Sequence, residues 1–347
     1  MKTESGGGWA YAFGAGALPA LAAALAAAAI YILLAADDPA AAFRAFFLSP
    51  FARPAVLANL IEQAAAPCLC ALGIALVFRS GDFNLGGEGQ AYAGGTAAVL
   101  FLLALPALPG PVGLAGGLLA GAAAGAAVGL PSAASRRNLG VDVLLSTFLV
   151  SQAAVLILDW AIAGPLRDPS SNLIATPVVA AAYRLPRLFP PSGLSFAPLL
   201  AGAAALCLDR FLRVSRRGME LSLYGRNPSF ASSIGFRVRA YAFWPLIASG
   251  ALNGLAGALL ALGANGRAVR GMTGGIGWNG ISIALLAGSD PRWILPAALF
   301  FSWLETGSRQ ASILAGISVD VGTVAKALVL LFATARLAGN RRGKGVL

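Results

Sequence analysis

Gly81-Asp82-Phe83-Asn84-Leu85-Gly86-Gly87-Glu88-Gly89-Gln90 interrupts two long apolar runs, and Gly271-Met272-Thr273-Gly274-Gly275-Ile276-Gly277-Trp278-Asn279-Gly280 does the same in the second half of the chain. Each stretch pairs an aromatic with an asparagine, Phe83-Asn84 and Trp278-Asn279, and each runs straight into an apolar helix. Backbone that leaves the helix at membrane depth must satisfy its N–H and C=O groups inside protein or against a wet cavity. Interrupted segments at matching positions of two halves therefore mark an interior face and point to a pathway across the bilayer. The expected fold is all-α and polytopic, with about ten spans in two inverted five-helix halves, each with its own glycine-rich helix break.

Composition agrees. Of 347 residues, 58% are hydrophobic and only 11% are charged, about half the charge density of a soluble domain, and the mean hydropathy is +0.77. Too little polar residue remains to cover a water-facing globule of this size. The chain has no histidine, which removes His-based catalytic dyads, zinc-protease motifs and imidazole proton relays. Cys68, Cys70 and Cys207 lie in apolar stretches without Cys-x-x-Cys spacing, so they read as small core hydrophobes; neither a disulfide framework nor a metal site is expected. The net charge of +11 is almost all arginine, with Lys2, Lys326 and Lys344 the only lysines. In an apolar chain this is orientation charge rather than a nucleic-acid footprint.

A bilayer-crossing helix needs about 20 mostly apolar residues. Such runs fall at approximately 9–36, 54–78, 90–105, 112–130, 142–163, 196–212, 240–262, 281–288, 293–309 and 319–337. The first is too long and too Ala-rich for a signal peptide and ends at Asp37-Asp38-Pro39 without a cleavage site, so an uncleaved span is expected. The eighth is too short to cross unless the glycine-rich stretch before it joins it. With the N-terminus inside, Arg136-Arg137, Asp209 to Arg239, Asp290 to Arg292 and the tail with Arg341, Arg342 and Lys344 all fall on the cytoplasmic side. In the second of these, Arg210, Arg213, Arg216, Arg217, Arg226, Arg237 and Arg239 face only Asp209 and Glu220. One transmembrane domain thus covers residues 1–347, with halves at roughly 9–163 and 196–338, an outer loop at 164–195 and a cytoplasmic loop at 209–239.

The pathway candidates are Phe83, Asn84, Glu88, Gln90, Asp142, Trp278 and Asn279. An acid beside a membrane segment is costly unless paired or wetted, so Glu88 stands out, with two readings open: ligand contact, or a cap accepting N–H bonds from the first turn of the third span. Asp142, after Asn138-Leu139-Gly140-Val141, has the same two readings. Asp159 and Trp160 read as residues of the outer interface. In the cytoplasmic loop, Leu221, Tyr224, Phe230 and Ile234 have the spacing of buried residues, a glycine allows a tight turn, and Asn227-Pro228 opens a short helix. Such an amphipathic element either docks a partner or lies on lipid headgroups.

At these residues the chain resembles the permease family of ABC importers that serves simple sugars, nucleosides and related ring-bearing nutrients. The resemblance rests on Gly81-x-Phe83-Asn84-Leu85-Gly86-x-Glu88-Gly89-Gln90, Gly225-x-Asn227-Pro228-x-x-Ala231-x-x-x-Gly235, Ser249-Gly250-Ala251-x-x-Gly254-Leu255-Ala256-Gly257-Ala258 and Gly277-Trp278-Asn279-Gly280-Ile281-Ser282-Ile283-Ala284-Leu285-Leu286-Ala287-Gly288. The first motif and Gly164-Pro165-Leu166-Arg167-Asp168-Pro169 look like the nucleoside-type branch, the longer of its two paired permeases. The resemblance implies a multi-pass protein of the bacterial cytoplasmic (inner) membrane that pairs with a second permease chain as a heterodimer. It also implies cytoplasmic ABC ATPases and an external substrate-binding lipoprotein or periplasmic protein. Tyr224, Gly225, Arg226, Asn227, Pro228, Phe230, Ala231 and Gly235 would form the helix that seats in the ATPase. The family usually has Asn-Glu at the start of the fifth span and a further Asn one or two turns on; this chain has Val141-Asp142 and Ser151. Relatives of this branch carry riboflavin or pentoses as well as nucleosides, so nucleosides lead and these follow.

No Gly-x-x-x-x-Gly-Lys-Ser/Thr phosphate loop is present. ATP and Mg would therefore sit on a partner ATPase, this chain needing no cofactor and performing no covalent chemistry. Two rivals stand beside this reading. A secondary transporter would bind H⁺ or Na⁺ at Glu88 or Asp142, and an intramembrane enzyme would have to pair Lys326 with a serine that the sequence does not place.

Overall fold

A computed structural model describes residues 8–318 and 320–342. Lys2, Lys344 and Val319, which opens the last expected run, lie outside them. Fifteen α-helices follow in order: α1 Gly8–Ala35, α2 Pro39–Phe43, α3 Ser49–Ala52, α4 Pro54–Arg79, α5 Gly87–Ala104, α6 Gly110–Leu139, α7 Val143–Ala163, α8 Ala197–Val214, α9 Arg216–Arg226, α10 Pro228–Ser233, α11 Val238–Tyr241, α12 Trp244–Leu260, α13 Ile276–Leu286, α14 Pro291–Ala315 and α15 Asp320–Arg342. Among the described residues β structure is limited to one isolated bridge, Ala175 to Val269.

Ten of these helices coincide with the ten apolar runs. Four of the described helices are both long and apolar enough to cross a membrane unaided: Pro54–Arg79, Gly110–Leu139, Val143–Ala163 and Val238–Gly263. The boundaries moved for local reasons. α6 continues past Pro131, where the sequence pattern placed its end, and stops at Gly140 in the left-handed region with φ 67. α5 begins at Gly87 and α13 at Ile276, so Glu88, Gln90, Trp278 and Asn279 belong to first turns of helices and the irregular breaks are shorter than expected. Between α1 and α4 the chain makes an unexpected short excursion, α2, a π-turn at Arg44–Leu48 and α3, held by Phe46, which is fully buried and meets Trp303 edge-on at 6.2 Å.

Helix α4 is the axis of the molecule, with Ala64 to Ala66 and Cys68 to Val77 all buried, and it packs against α8, α12, α13 and α14. A second assembly joins α5, α6 and α12. Lipid tails are as apolar as leucine, so such helices associate through close packing and hydrogen bonds rather than apolar burial. Here small residues bring backbones together: a Cβ on Gly257 would lie 1.7 Å from the Ala91 carbonyl oxygen, and one on Gly125 would lie 2.2 Å from that of Gly250. Gly117, Gly121 and Gly125, spaced four apart along α6, likewise pack inside the chain, against α5 and α12. α5 packs on α12 and α6, and α13 packs on α4 and α14.

Candidate functional site

The first break, Ser80 to Gly86, is held by a buried amide knot. Asn84 donates from Nδ2 to Gln90 Oε1 at 3.1 Å and to Ser249 Oγ at 2.9 Å, and accepts the Gly86 N–H at 2.7 Å. Gln90 Oε1 also accepts from Asn253 Nδ2 at 2.7 Å. All four side chains are essentially inaccessible to solvent, where polar groups are normally bonded; Asn253 Oδ1 has no partner among the described residues. From the other side, α7 supplies two hydroxyls: Leu85 N–H donates to Thr147 Oγ1 at 3.0 Å and Gly89 N–H to Ser151 Oγ at 2.8 Å. Ser151 thus anchors α5 by its backbone.

Glu88 caps a helix, but not the one it opens. Its two carboxylate oxygens accept the N–H groups of Gly275 and Gly277, each at 2.9 Å, and these begin α13. A carboxylate at a helix N-terminus satisfies orphan donors and opposes the positive end of the dipole. The contact joins the two glycine-rich stretches directly. It needs a glycine: a Cβ on Gly277 would lie 2.3 Å from the Glu88 nitrogen.

The aromatic candidates are not brought together. Half-buried Phe83 packs on Phe78 with ring centroids 4.6 Å apart, whereas Trp278, 42% exposed, meets Phe148 of α7 edge-on at 6.3 Å. Asn279 is half-buried one residue further along α13. Asp142 stands apart on the surface and caps α7, accepting from Leu144 N–H at 2.8 Å and Leu145 N–H at 3.4 Å. Sequence reasoning passed over Thr147, Ser249, Asn253 and Tyr92; their only signal was a small or polar residue on the inner face of an apolar helix. Asp159, read as interfacial, accepts the Tyr92 hydroxyl at 2.7 Å and pairs with Arg270 at 3.5 Å, while Gly271 N–H donates to the same hydroxyl at 3.2 Å. Lys326, without a serine partner, is ion-paired with Glu305 across α14 and α15.

The expected docking residues fall into two sets. Leu221, Tyr224 and Ala231 are buried, but Phe230 and Ile234 are 51% and 45% exposed, contrary to the burial that their spacing suggested, because α10 is only six residues long and leaves one side uncovered. Asn227 caps it through Phe230 N–H at 2.9 Å, with Pro228 at the first turn. Arg226 is the basic residue of the last turn of α9. Gly235 makes the tight turn with φ 85. Gly225 is helical and serves a close approach: its added Cβ would lie 2.1 Å from the Arg79 carbonyl oxygen at the end of α4. Beside it Asp82 of the first break pairs with Arg136 at 2.9 Å, and Arg136 lies next to Tyr224. Burial pushes the Tyr224 phenol up, the Asp82 charge adding to this and Arg136 opposing it. Glu220 is held below the usual carboxylate range by hydrogen bonds from Tyr241 and Arg216.

Comparison with known proteins gives a consistent result. The family profile described as "Branched-chain amino acid transport system / permease component" matches residues 56–334. A probable riboflavin import permease protein of Treponema pallidum is 30% identical over 88% of this chain and 81% of its own length. A guanosine ABC transporter permease protein of Bacillus subtilis is 28% identical over 91% of each chain. A glucose ABC transporter permease protein of Haloferax volcanii is 27% identical over 92% of this chain and 87% of its own.

Proposed function

The chain belongs to the permease-component family of branched-chain amino acid transport systems, and from that membership we propose that it is the membrane subunit through which an ATP-driven importer moves a planar, ring-bearing nutrient, a nucleoside foremost. Permeases of this family are transport subunits rather than enzymes, so a cytoplasmic ABC ATPase hydrolyses ATP and this chain needs no cofactor of its own. A second, different permease chain completes the pathway, and an external binding protein or lipoprotein delivers the substrate. The chain sits in a bacterial cytoplasmic membrane with its N-terminus inside and ten spans in two inverted halves. That division is supported by reciprocal packing, α5 on α6 and α12 against α13 on α14 and α4.

The observation that carries the mechanism is the join between the two breaks at Glu88. Breaks that can move only together give an alternating-access device a compliant centre. The docking residues Tyr224 to Gly235 lie on the same side as Asp82, and Gly225 rests directly on the end of α4. Motion of the ATPase therefore reaches the first break through backbone contact, the Glu88 bonds pass it to α13, and Trp278 and Phe148 move with it. Trp278 is the ring-stacking residue in this scheme, with Asn279 beside it; Phe83 steadies the break against Phe78. Riboflavin is the second reading, favoured by the similarity to the Treponema pallidum protein.

The test is affinity purification of the intact chain in mild detergent, followed by reconstitution with whatever ATPase, second permease and external binding protein copurify and uptake of labelled guanosine and riboflavin. Recovery of the ATPase and second permease with ATP-dependent uptake of either ring compound is expected. Recovery of the chain alone, with ionophore-sensitive uptake that needs no ATP, overturns the proposal in favour of ion coupling.

A further inference from the structure

At the cytoplasmic end of α8 two cavities share one wall. The first is an almost wholly apolar groove of about 570 Å³ along α8, lined by Leu206, Cys207, Phe211 and Val214, with Arg210 at its margin. Leu206 and Val214 are each 71% exposed, so the groove opens outward from the helix bundle. The second is a basic pocket of about 720 Å³ between α9, α11 and α12, lined by Arg216, Arg217 and Arg237 with Tyr241 and Trp244 behind them. Phe211 lines both and is fixed edge-on against Trp244, with ring centroids 5.7 Å apart.

The charge in the pocket is unbalanced. Its one acid, Glu220, is already engaged by Arg216 at 2.7 Å and by the Tyr241 hydroxyl at 2.5 Å. Arg217 and Arg237 are exposed and form no salt bridge among the described residues. Two guanidinium groups thus face a pocket whose back wall is aromatic, and that pocket continues into an apolar groove on the outer face of a helix. Guanidinium groups bind phosphate oxygens in a fork geometry, aromatic side chains favour headgroup depth, and basic pockets on the cytoplasmic side of helix bundles take anionic headgroups. A soluble anion would satisfy the arginines but leave the groove bare; a neutral lipid would fill the groove but leave two charges unmet.

We propose that this paired groove and pocket is a binding site for one anionic phospholipid of the cytoplasmic leaflet, its phosphate between Arg217 and Arg237 and one acyl chain along Leu206, Phe211 and Val214. The occupant ties α8 to α9 and α11 and lies against Gly235 of the docking segment. The proposal rests on membrane placement and on the inside location of these arginines, not on what is transported.

Native mass spectrometry of the intact detergent-solubilised protein, titrated with phosphatidylglycerol and with phosphatidylcholine of equal chain length, tests it. The expected result is a preference for phosphatidylglycerol of about thirtyfold, since each of the two basic side chains favours an anionic lipid by roughly fivefold. That preference falls to below about twofold in the Arg217→Gln/Arg237→Gln double variant. Cys207→Trp, which fills the groove and leaves the arginines in place, lowers phosphatidylglycerol retention without touching the charge preference of what remains. Equal retention of the two lipids, or a preference surviving in the double variant, overturns the proposal. Displacement of phosphatidylglycerol by millimolar inorganic phosphate alone also overturns it, by showing a free-anion site. An unchanged melting temperature for the double variant without added lipid excludes misfolding as the cause of lost binding.

Discussion

Glu88 bonds backbone groups 187 and 189 residues further along the chain, which gives a single side chain control over the relative position of two helix breaks. Each bond joins a charged acceptor to a backbone N–H, a class contributing about 1.5–3 kcal/mol. Glutamine in its place has the same shape but only one acceptor oxygen, and its NH₂ would face an N–H group. Glu88→Gln is therefore expected to lower ATP-dependent uptake by at least about tenfold, while the protein still assembles with its ATPase; Glu88→Asp, which keeps the charge on a shorter arm, recovers part of it. Uptake unchanged by Glu88→Gln would remove the join from the mechanism. The sequence left Glu88 two readings, ligand contact or a cap on the helix it opens; the cap on α13 was not legible, because the donors are distant in the chain and appear only once Gly87 and Gly277 pack backbone to backbone. Asn84 and Gln90, read from the sequence as pathway residues, are buried in the amide knot. Their partners Ser249 and Asn253 were not found, since a lone small polar residue in an apolar run does not reveal which helix it meets.

Among the elements, α9 and α10 would divide the work of docking under the proposed function. α9 faces inward, its Gly225 against the carbonyl of Arg79 and its Tyr224 against Arg136, whereas α10 leaves Phe230 uncovered. Two substitutions separate these roles. Phe230→Asp puts a charge on the exposed apolar patch and is expected to release the ATPase on purification, with the fold intact. Gly225→Ala adds a methyl group where backbone already lies, and overpacking of this kind costs about 1–3 kcal/mol. It is expected to leave the ATPase bound but to cut uptake per ATP hydrolysed several-fold, because α9 no longer seats on the end of α4. Loss of ATPase binding in both variants would mean that the segment acts as one unit. Helix positions were the most legible feature of the sequence, since long apolar runs report themselves. The unforeseen pieces, α2, α3 and the extension of α6 beyond Pro131, are those where tertiary contact overrides a local stop signal. Phe230 and Ile234 were misjudged because helical spacing says which residues share a face and not whether another element covers it.

For the whole molecule, the span count turns on the helices that fall short of crossing unaided, and α8 is the one whose crossing labelling at its two ends can decide. α8 has 18 residues, about 27 Å at 1.5 Å per residue, against a hydrocarbon core of about 30 Å. Its last turns contain Asp209, Arg210 and Arg213, so it is not among the four described helices that are long and apolar enough to cross unaided. It crosses only if these charges lie at the headgroups. The ion pairs support that depth: Arg213 and Arg292 both bond Asp209, and Arg213 also reaches Asp290 in the turn before α14. Residues 172 and 229 flank α8 and are both exposed, so they report on this one crossing. In a Cys207→Ser background, where the remaining cysteines, Cys68 and Cys70, are buried, Asn172→Cys is expected to react with a membrane-impermeant maleimide applied to intact cells. Ser229→Cys is expected to react only in inverted vesicles stripped of the ATPase. Reaction of both from the same side would place α8 as a surface helix and leave an odd number of spans in all. The two halves would then no longer be inverted, and the reciprocal packing of α5 and α13 would have to arise without an inverted repeat.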